Sequence, residues 1–507
     1  MKRIIKIISC LFLFFTVLAC NNTNKEEDIM KDKGTAKIYL IDDNIYNINL
    51  NENEYLDIAK LNLGDYSINK VYLDSNYQTE FDYKNTKIEN NQVLYATFLY
   101  NKKPEVVNSD ISNINLDNYI EKLMTDTPSF IPAWNQEGFK GRWNYIDGVF
   151  LKSIVDIYKQ TNDQKYLDFV KQYVNYYINS NGQFINPTNN ELFYNEKELD
   201  SVCESNILFD LYEYTNDDRY LMAIEYTYEK LMQMPRALGT NNFNHKVEYK
   251  NQIWLDGMYM YVPFILKYAN LKKDNTIYDM VIAQYKYIRN NMFDSNKKLY
   301  YHGIDTQKEI FWANKETGTS KCFWLRSNGW FIVSMADSIE LLPEGNNKEY
   351  LKQLLKEALD NILNYQDEDT KLFYQLVDKK NQCYKVKADY LSSLKNTKYM
   401  QNGNYVDKTI ANYLETSGSS MIAYSLMKSS YLDENYKKLG KEIFENIYKY
   451  YYKNNELSNI CITAGLGGET KPYRDGTESY YLAEPVGIND AKGVGPFLMA
   501  YLKYKSI

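Results

Sequence analysis

The residues able to do chemistry in this chain crowd into one run. Between Asn244 and Met260 the sequence carries His245, Lys246, Trp254, Asp256 and Gly257, so an imidazole, an amine, an indole and a carboxylate fall within thirteen residues. The chain has two histidines in all. The second, His302, stands in Tyr300-Tyr301-His302-Gly303-Ile304-Asp305. A single histidine can be purely structural, held by a backbone hydrogen bond. The company of Trp254 and Asp256 brings a functional reading level with that one.

Other segments share this mixture of Gly, Trp and charge. They are Gly141-Arg142-Trp143-Asn144-Tyr145, Glu198-Leu199-Asp200-Ser201, Phe323-Trp324-Leu325-Arg326-Ser327-Asn328-Gly329-Trp330, Glu415-Thr416-Ser417-Gly418-Ser419-Ser420 and Tyr473-Arg474-Asp475-Gly476. A metal site would need several His, Cys or carboxylates at ligand spacing, and two distant histidines do not supply it. Nucleophilic serine chemistry would need a strand–Ser–helix elbow, a setting that Gly418-Ser419-Ser420 lacks. Two carboxylates, Asp200 and Asp256, suit general acid/base work on a sugar, with aromatic walls desolvating one carboxyl so that it can donate a proton. Arg326 and Lys246 would meet an anionic group.

The elements that must position these residues are mostly helices. Thr161-Asn162-Asp163-Gln-Lys-Tyr166-Leu167 recurs as Thr215-Asn216-Asp217-Asp-Arg-Tyr220-Leu221, an offset of 54 residues. Thr-Asn-Asp would end one helix and cap the next, while Tyr-Leu starts the returning apolar face. Looser copies begin at Lys273, Asn346 and Asp433, giving five helix–turn–helix corners. Adding a first helix near Leu116–Met124 and a last near Phe497–Tyr504 gives twelve helices, enough for a toroid of six hairpins. A solenoid would show shorter and more uniform repeats. The chemistry-bearing segments fall on the ends opposite the corners, where loops of a closed barrel converge on a pocket. Residues 35 to 110 read instead as a small β-rich module, with β-branched and aromatic runs such as Val93–Leu99 broken by Asp, Asn and Gly.

Composition narrows the partners. A net charge of -7 offers no basic stripe for nucleic acid. The chain holds 51 tyrosines and 6 tryptophans, ring faces of the kind a carbohydrate cleft uses. Cys203, Cys322, Cys383 and Cys461 lie far apart without metal spacing. At the N-terminus, Lys2, Arg3 and Lys6 precede an apolar stretch, Ile7 to Leu18, that ends in Val17-Leu18-Ala19-Cys20. This resembles the lipobox of bacterial lipoproteins, with residues 1–19 as signal, Cys20 as the lipidated residue, 20–34 as a polar tether and the cell envelope as location.

The runs Gln-x-Trp254-Leu-Asp256-Gly-x-Tyr-Met, His245-Lys246, His302-Gly-x-Asp, Phe-Trp324-x-Arg326-x-Asn-Gly-Trp330 and Glu-Thr-Ser-Gly-Ser-Ser together resemble the unsaturated glycuronyl hydrolases, glycoside hydrolase family 105 and its relative family 88. Tyr480-Tyr481-Leu482-x-Glu484-Pro485 and Asn489-Asp490-x-Lys492-Gly493 extend the likeness. The resemblance spans about Trp143 to Leu502 and implies an (α/α)6 barrel over residues 111–507. It implies hydration of the 4,5-unsaturated uronic acid at the non-reducing end of lyase-generated oligosaccharides. Asp256 would protonate C4 and activate the water entering C5, with Asp200 supporting it. His302, His245, Lys246, Arg326 and Trp330 would hold the uronate, and Tyr145, Trp143, Trp254 and Trp324 would line the subsite. No metal or cofactor is implied. Residues 376–412 form an insertion, and the β module lies outside the likeness. The competing readings are an inverting glycosidase or uronate lyase on the same barrel, and a glycan-binding lipoprotein without turnover.

Overall fold

The computed structural model describes residues 34–507 apart from 42–43, 52, 57, 59–60, 128–133 and 137–141. The expected signal segment, Cys20 and the tether as far as Lys33 lie outside them.

The chain starts with a sheet of β1 (Thr35–Leu40), β2 (Ile45–Asn49), β3 (Tyr66–Tyr72) and β4 (Val93–Tyr100), ordered β2-β1-β4-β3 with the β1–β4 pair parallel. Alternation along β4 turns Leu94, Ala96 and Phe98 inward onto Ile38, so one face of the sheet is dry.

Helices follow: α1 (Asp117–Thr125), α2 (Tyr145–Thr161), α3 (Gln164–Asn175), α4 (Asp200–Glu204), α5 (Asn206–Thr215), α6 (Asp218–Gln233), α7 (Leu255–Lys272), α8 (Thr276–Asn291), α9 (Leu325–Ser338), α10 (Asn346–Leu363), α11 (Ala388–Ser393), α12 (Thr416–Lys428), α13 (Asn435–Tyr451), α14 (Glu478–Ala483) and α15 (Ala491–Ser506). An inner ring closes through α2, the pair α4–α5, α7, α9, α12 and α15, which returns to α2. Around it stand α3, α6, α8, α10 and α13, each beside the inner helix before it. The sixth outer place belongs to α1, whose Tyr119 meets Tyr452 edge-on at 5.2 Å. This is the (α/α)6 barrel. Inner helices are apolar nearly all round because neighbours cover every side, and in α9 every residue is buried.

The Thr-Asn-Asp corners fold as their residue types dictate. Asn162 (φ 54°) and Asn216 (φ 53°) adopt the left-handed conformation that ends α2 and α5. Asp163 and Asp217 then accept from the backbone N–H of Lys165 and Arg219, satisfying orphan donors of the next helix. With the short corners gathered at one end, all inner helices begin at the other. The positive ends of their dipoles therefore converge on that mouth.

The segment 376–412, expected as an insertion, ties the sheet to the barrel. Its strands Cys383–Val386 and Lys408–Ala411 pair antiparallel. Leu99 bridges Gln382, the Tyr100 N–H donates to the Asn381 carbonyl, and Cys383 enters the core of the sheet. Among the described residues no helix is long and apolar enough to cross a membrane.

Candidate active site

A three-residue ladder builds the centre of the mouth. β5 (Gln252–Trp254) runs directly into α7 and pairs with a strand that lies just beyond the following hairpin. That hairpin pairs β6 (Phe293–Asp294) with β7 (Leu299–Tyr300), and β8 (Gly303–Asp305) comes next in the chain. The β5–β8 ladder sets Trp254 opposite Gly303, and the Leu255 N–H donates to the His302 carbonyl at 3.0 Å. The first turn of α7 is thereby fixed against His302. Asp256, the second residue of α7, brings its Oδ2 to 3.2 Å from His302 Nε2. The approach is off the N–H direction, and among the described residues neither atom has a hydrogen-bond partner.

His302 is fully buried, and its Nδ1 lies 2.6 Å from the Tyr481 hydroxyl. Burial pushes the Tyr481 phenol well up, so it keeps its proton. A tautomer in which Tyr481 donates to Nδ1 leaves the other ring nitrogen, Nε2, on the side of Asp256. Trp324 packs on the ring at 4.8 Å and Trp254 meets it edge-on at 5.3 Å. A Cβ on Gly303 would come 2.6 Å from Leu466 Cδ1 and 3.1 Å from Trp254 Cδ1, so any larger residue would push buried Leu466 aside and crowd Trp254.

The second carboxylate is differently held. Asp200 heads α4 on the mouth, with Lys246 Nζ 3.3 Å from its Oδ2 and His245 Nε2 3.6 Å from its Oδ1. Lys246 also meets Glu198 at 2.6 Å. Burial disfavours the Lys246 charge, but Asp200 and Glu198 outweigh it and raise its pKa above the ordinary value. Burial, with Lys246 beside it, lowers His245 to about 3, so the ring is neutral. It stacks on Trp254 at 4.2 Å, and Tyr249 stacks on Trp254 at 5.3 Å.

Asp256, Asp200, His302, His245, Lys246, Trp254 and Trp324 thus form one connected cluster. Arg326 lies beneath Trp324, its guanidinium 4.9 Å from the ring, and donates to Ser417 Oγ at 3.2 Å and to the Cys461 carbonyl. Tyr145 heads α2, 6.4 Å from Trp330. Trp143, expected to line the subsite, and Trp330, expected to hold the uronate, are both engaged with neighbouring residues. Trp143 donates to Ser205 Oγ at 3.0 Å and packs between Tyr177 and Phe184, while Trp330 stacks on Tyr259 at 4.6 Å. They are 2% and 1% exposed and present no free ring face, because the apolar interior between the inner helices consumes both. Sequence reasoning missed Tyr481 as a site residue, although it stands in the quoted Tyr480-Tyr481-Leu482 run. It also passed over Tyr249, whose only signal was its place beside Lys246. Among the described residues no group of three His, Cys, Asp or Glu side chains is placed to hold a metal ion.

The Glycosyl Hydrolase Family 88 profile matches residues 119–388 and 379–507, which together take in every helix of the barrel's inner ring. The chain belongs to this family. It is a glycoside hydrolase. A solved glycoside hydrolase of family 105 from C. acetobutylicum ATCC 824 is 32% identical, with a TM-score of 0.64, covering 76% of this chain and 99% of that one. The unsaturated rhamnogalacturonyl hydrolase YesR of Bacillus subtilis (strain 168) is 22% identical over 283 residues, which is 54% of this chain and 76% of that protein. The unsaturated glucuronyl hydrolase of Bacillus sp. GL1, at 13% identity and a TM-score of 0.52 over 76% of this chain and 94% of its own, shares the fold.

Proposed function

We propose that this hydrolase removes the 4,5-unsaturated uronic acid from the non-reducing end of lyase-generated oligosaccharides by hydrating its vinyl ether. One observation carries the reading. Asp256 and His302 face each other at 3.2 Å at the head of α7, while Asp200 is engaged by Lys246 and His245. Ordinary glycoside hydrolysis calls on two carboxyl groups, one as acid and one as base or nucleophile. Hydration needs one group that delivers a proton and then takes one from water, which suits Asp256. Its proton goes to C4, and water adds at C5 and returns a proton to the carboxylate. The resulting hemiketal opens to a C5 ketone, and the aglycone leaves from C1 with its own oxygen. His302 holds the reacting face, and Asp200 with Lys246 and His245 positions ring hydroxyls and the uronate. The names of YesR and of the Bacillus sp. GL1 enzyme, both hydrolases of unsaturated uronyl substrates, support the substrate class.

Lyase digests of rhamnogalacturonan, chondroitin, heparin and ulvan, incubated with the enzyme, test the reading. At least one should lose the absorbance of the conjugated double bond as keto acid is released. Sugar release with that absorbance retained would point to an inverting glycosidase, and a gain in absorbance to a lyase.

We also propose that Cys20 carries acyl chains that hold the mature protein at the bacterial envelope. The basic Lys2-Arg3, the apolar Ile7–Leu18 stretch and Val17-Leu18-Ala19-Cys20 support this. Cys20→Ser should move the protein from the membrane pellet to the soluble fraction, and an unchanged pellet fraction would refute the anchor.

A further inference from the structure

The relative from C. acetobutylicum is covered over 99% of its length while 76% of this chain is used, and the family match starts at residue 119. The N-terminal sheet is therefore an addition, and no residue of the candidate active site comes from it. It does build something else. Where β3 and β4 meet the 376–412 segment and the outer end of α13, a cleft of about 900 Å³ opens, within the range of small-ligand pockets.

Its walls come from three parts of the chain. Tyr66 and Tyr100 of the sheet lie 5.1 Å apart, with Tyr66 39% exposed. Tyr399 and Lys398 come from the 376–412 segment, and Tyr450 and Tyr451 from α13. The positions are locked by backbone: Asn381 Nδ2 donates to the Tyr100 carbonyl at 2.7 Å, and the Asn101 N–H donates to the Asp65 carbonyl at 2.7 Å. The charges at the walls cancel. Lys102, Lys103, Lys380 and Lys398 face Glu105, Asp367, Glu368 and Asp369, with Lys103 2.9 Å from Asp369 and Lys380 3.4 Å from Glu368. None of the Asp256–His302 cluster lines this cleft, and α14 lies between the two, with Tyr481 on His302 and Leu482 on the cleft.

Half-exposed phenol rings offer flat apolar faces with polar rims, which suits the C–H faces and hydroxyls of a pyranose. Cancelled charge gives no preference for a uronate chain, and the polar rims do not suit a lipid or an apolar peptide. We infer that this cleft is a second carbohydrate site, binding a neutral segment of a glycan.

The test uses the whole protein and does not depend on the proposed reaction. Neutral tetrasaccharides (galacto-, arabino-, xylo- and mannotetraose) and tetragalacturonate are titrated calorimetrically into wild type and into the double variant Tyr66→Ala/Tyr450→Ala. The expected result is binding of at least one neutral tetrasaccharide that weakens at least ~10-fold in the variant, since two stacked rings together are worth more than about 1.4 kcal/mol. Turnover of a short substrate by the variant should stay at wild-type level, and its thermal melt should show it folded. A single Tyr66→Ala change, at an exposed edge of the sheet, repeats the test if the double variant unfolds. Neutral binding that ignores these tyrosines, no neutral binding, or binding of tetragalacturonate alone would overturn the proposal.

Discussion

The two ends of the barrel both bury charge, but they treat it differently. At the base, where the inner helices end, Lys428 sits 2.9 Å from Asp337, Lys152 2.6 Å from Asp156 and Lys159 2.6 Å from Asp210. Tyr424 adds a hydrogen bond to Asp337 at 2.7 Å. Burial alone would raise Asp337, but Lys428 and Lys152 hold it down to about 2. These lysines also complement the negative ends of the helix dipoles. At the mouth, Asp256 Oδ2 and His302 Nε2 are buried 3.2 Å apart without completing a hydrogen bond, and His245 is driven neutral. Charges at the base are spent on each other and hold the barrel together. Those around Asp256 are kept available at some cost in stability, as sites of turnover often are.

Substitutions at the two ends should separate accordingly. The largest effect is expected for Asp256→Asn, which should lower turnover at least ~10³-fold by removing the acid and base. Its thermal midpoint should hold or rise, because a buried carboxyl oxygen that makes no hydrogen bond has gone; a fall like that of the base variants would erase the contrast. Gly303→Ala should come next, with kcat down by about 10²-fold from misplacing Trp254 and His302. Steady-state kinetics on an unsaturated disaccharide would check it, and unchanged kcat would mean that the β5–β8 ladder does not set the site. At the base, Lys428→Met should cost about 3 kcal/mol by stranding Asp337, read as a lower thermal midpoint, with kcat near wild type.

The smallest effect concerns pH. His245 titrates near 3 in the folded chain and near ~6.5 unfolded, so between these values the unfolded chain binds more protons and acidification destabilises. Asp147, raised to about 7 by burial despite hydrogen bonds from Tyr173, Asn135 and Asn144, works in the opposite sense over its own window. The difference between wild type and His245→Gln isolates the histidine. Between pH 6.5 and 5 wild type should lose about 1.6 kcal/mol more than the variant. Equal losses would mean that His245 is not buried neutral.

How legible the chain was follows from the range of the interactions. The hairpins were readable because Asn162-Asp163 and Asn216-Asp217 act locally, as a left-handed helix end and the next cap. Asp256 and His302 could be singled out from residue type. Their contact was not, because it rests on a three-residue strand pair joining segments some fifty residues apart, too short for a periodic signal. Tyr481 escaped for the same reason: its contact with His302 spans 179 residues. How Trp143 and Trp330 pack was not readable, because an indole serves a sugar subsite and a barrel interior equally well.

The central claim is that Asp256 drives hydration of a double bond, and deuterium reports on that step directly. An unsaturated disaccharide is turned over in D2O and followed by proton NMR at early times. The vinyl H4 signal should vanish in step with release of the second sugar, with one solvent deuteron at C4 of the product. Asp256→Asn should show neither change on that timescale. Release of the second sugar with the vinyl proton intact would contradict the account.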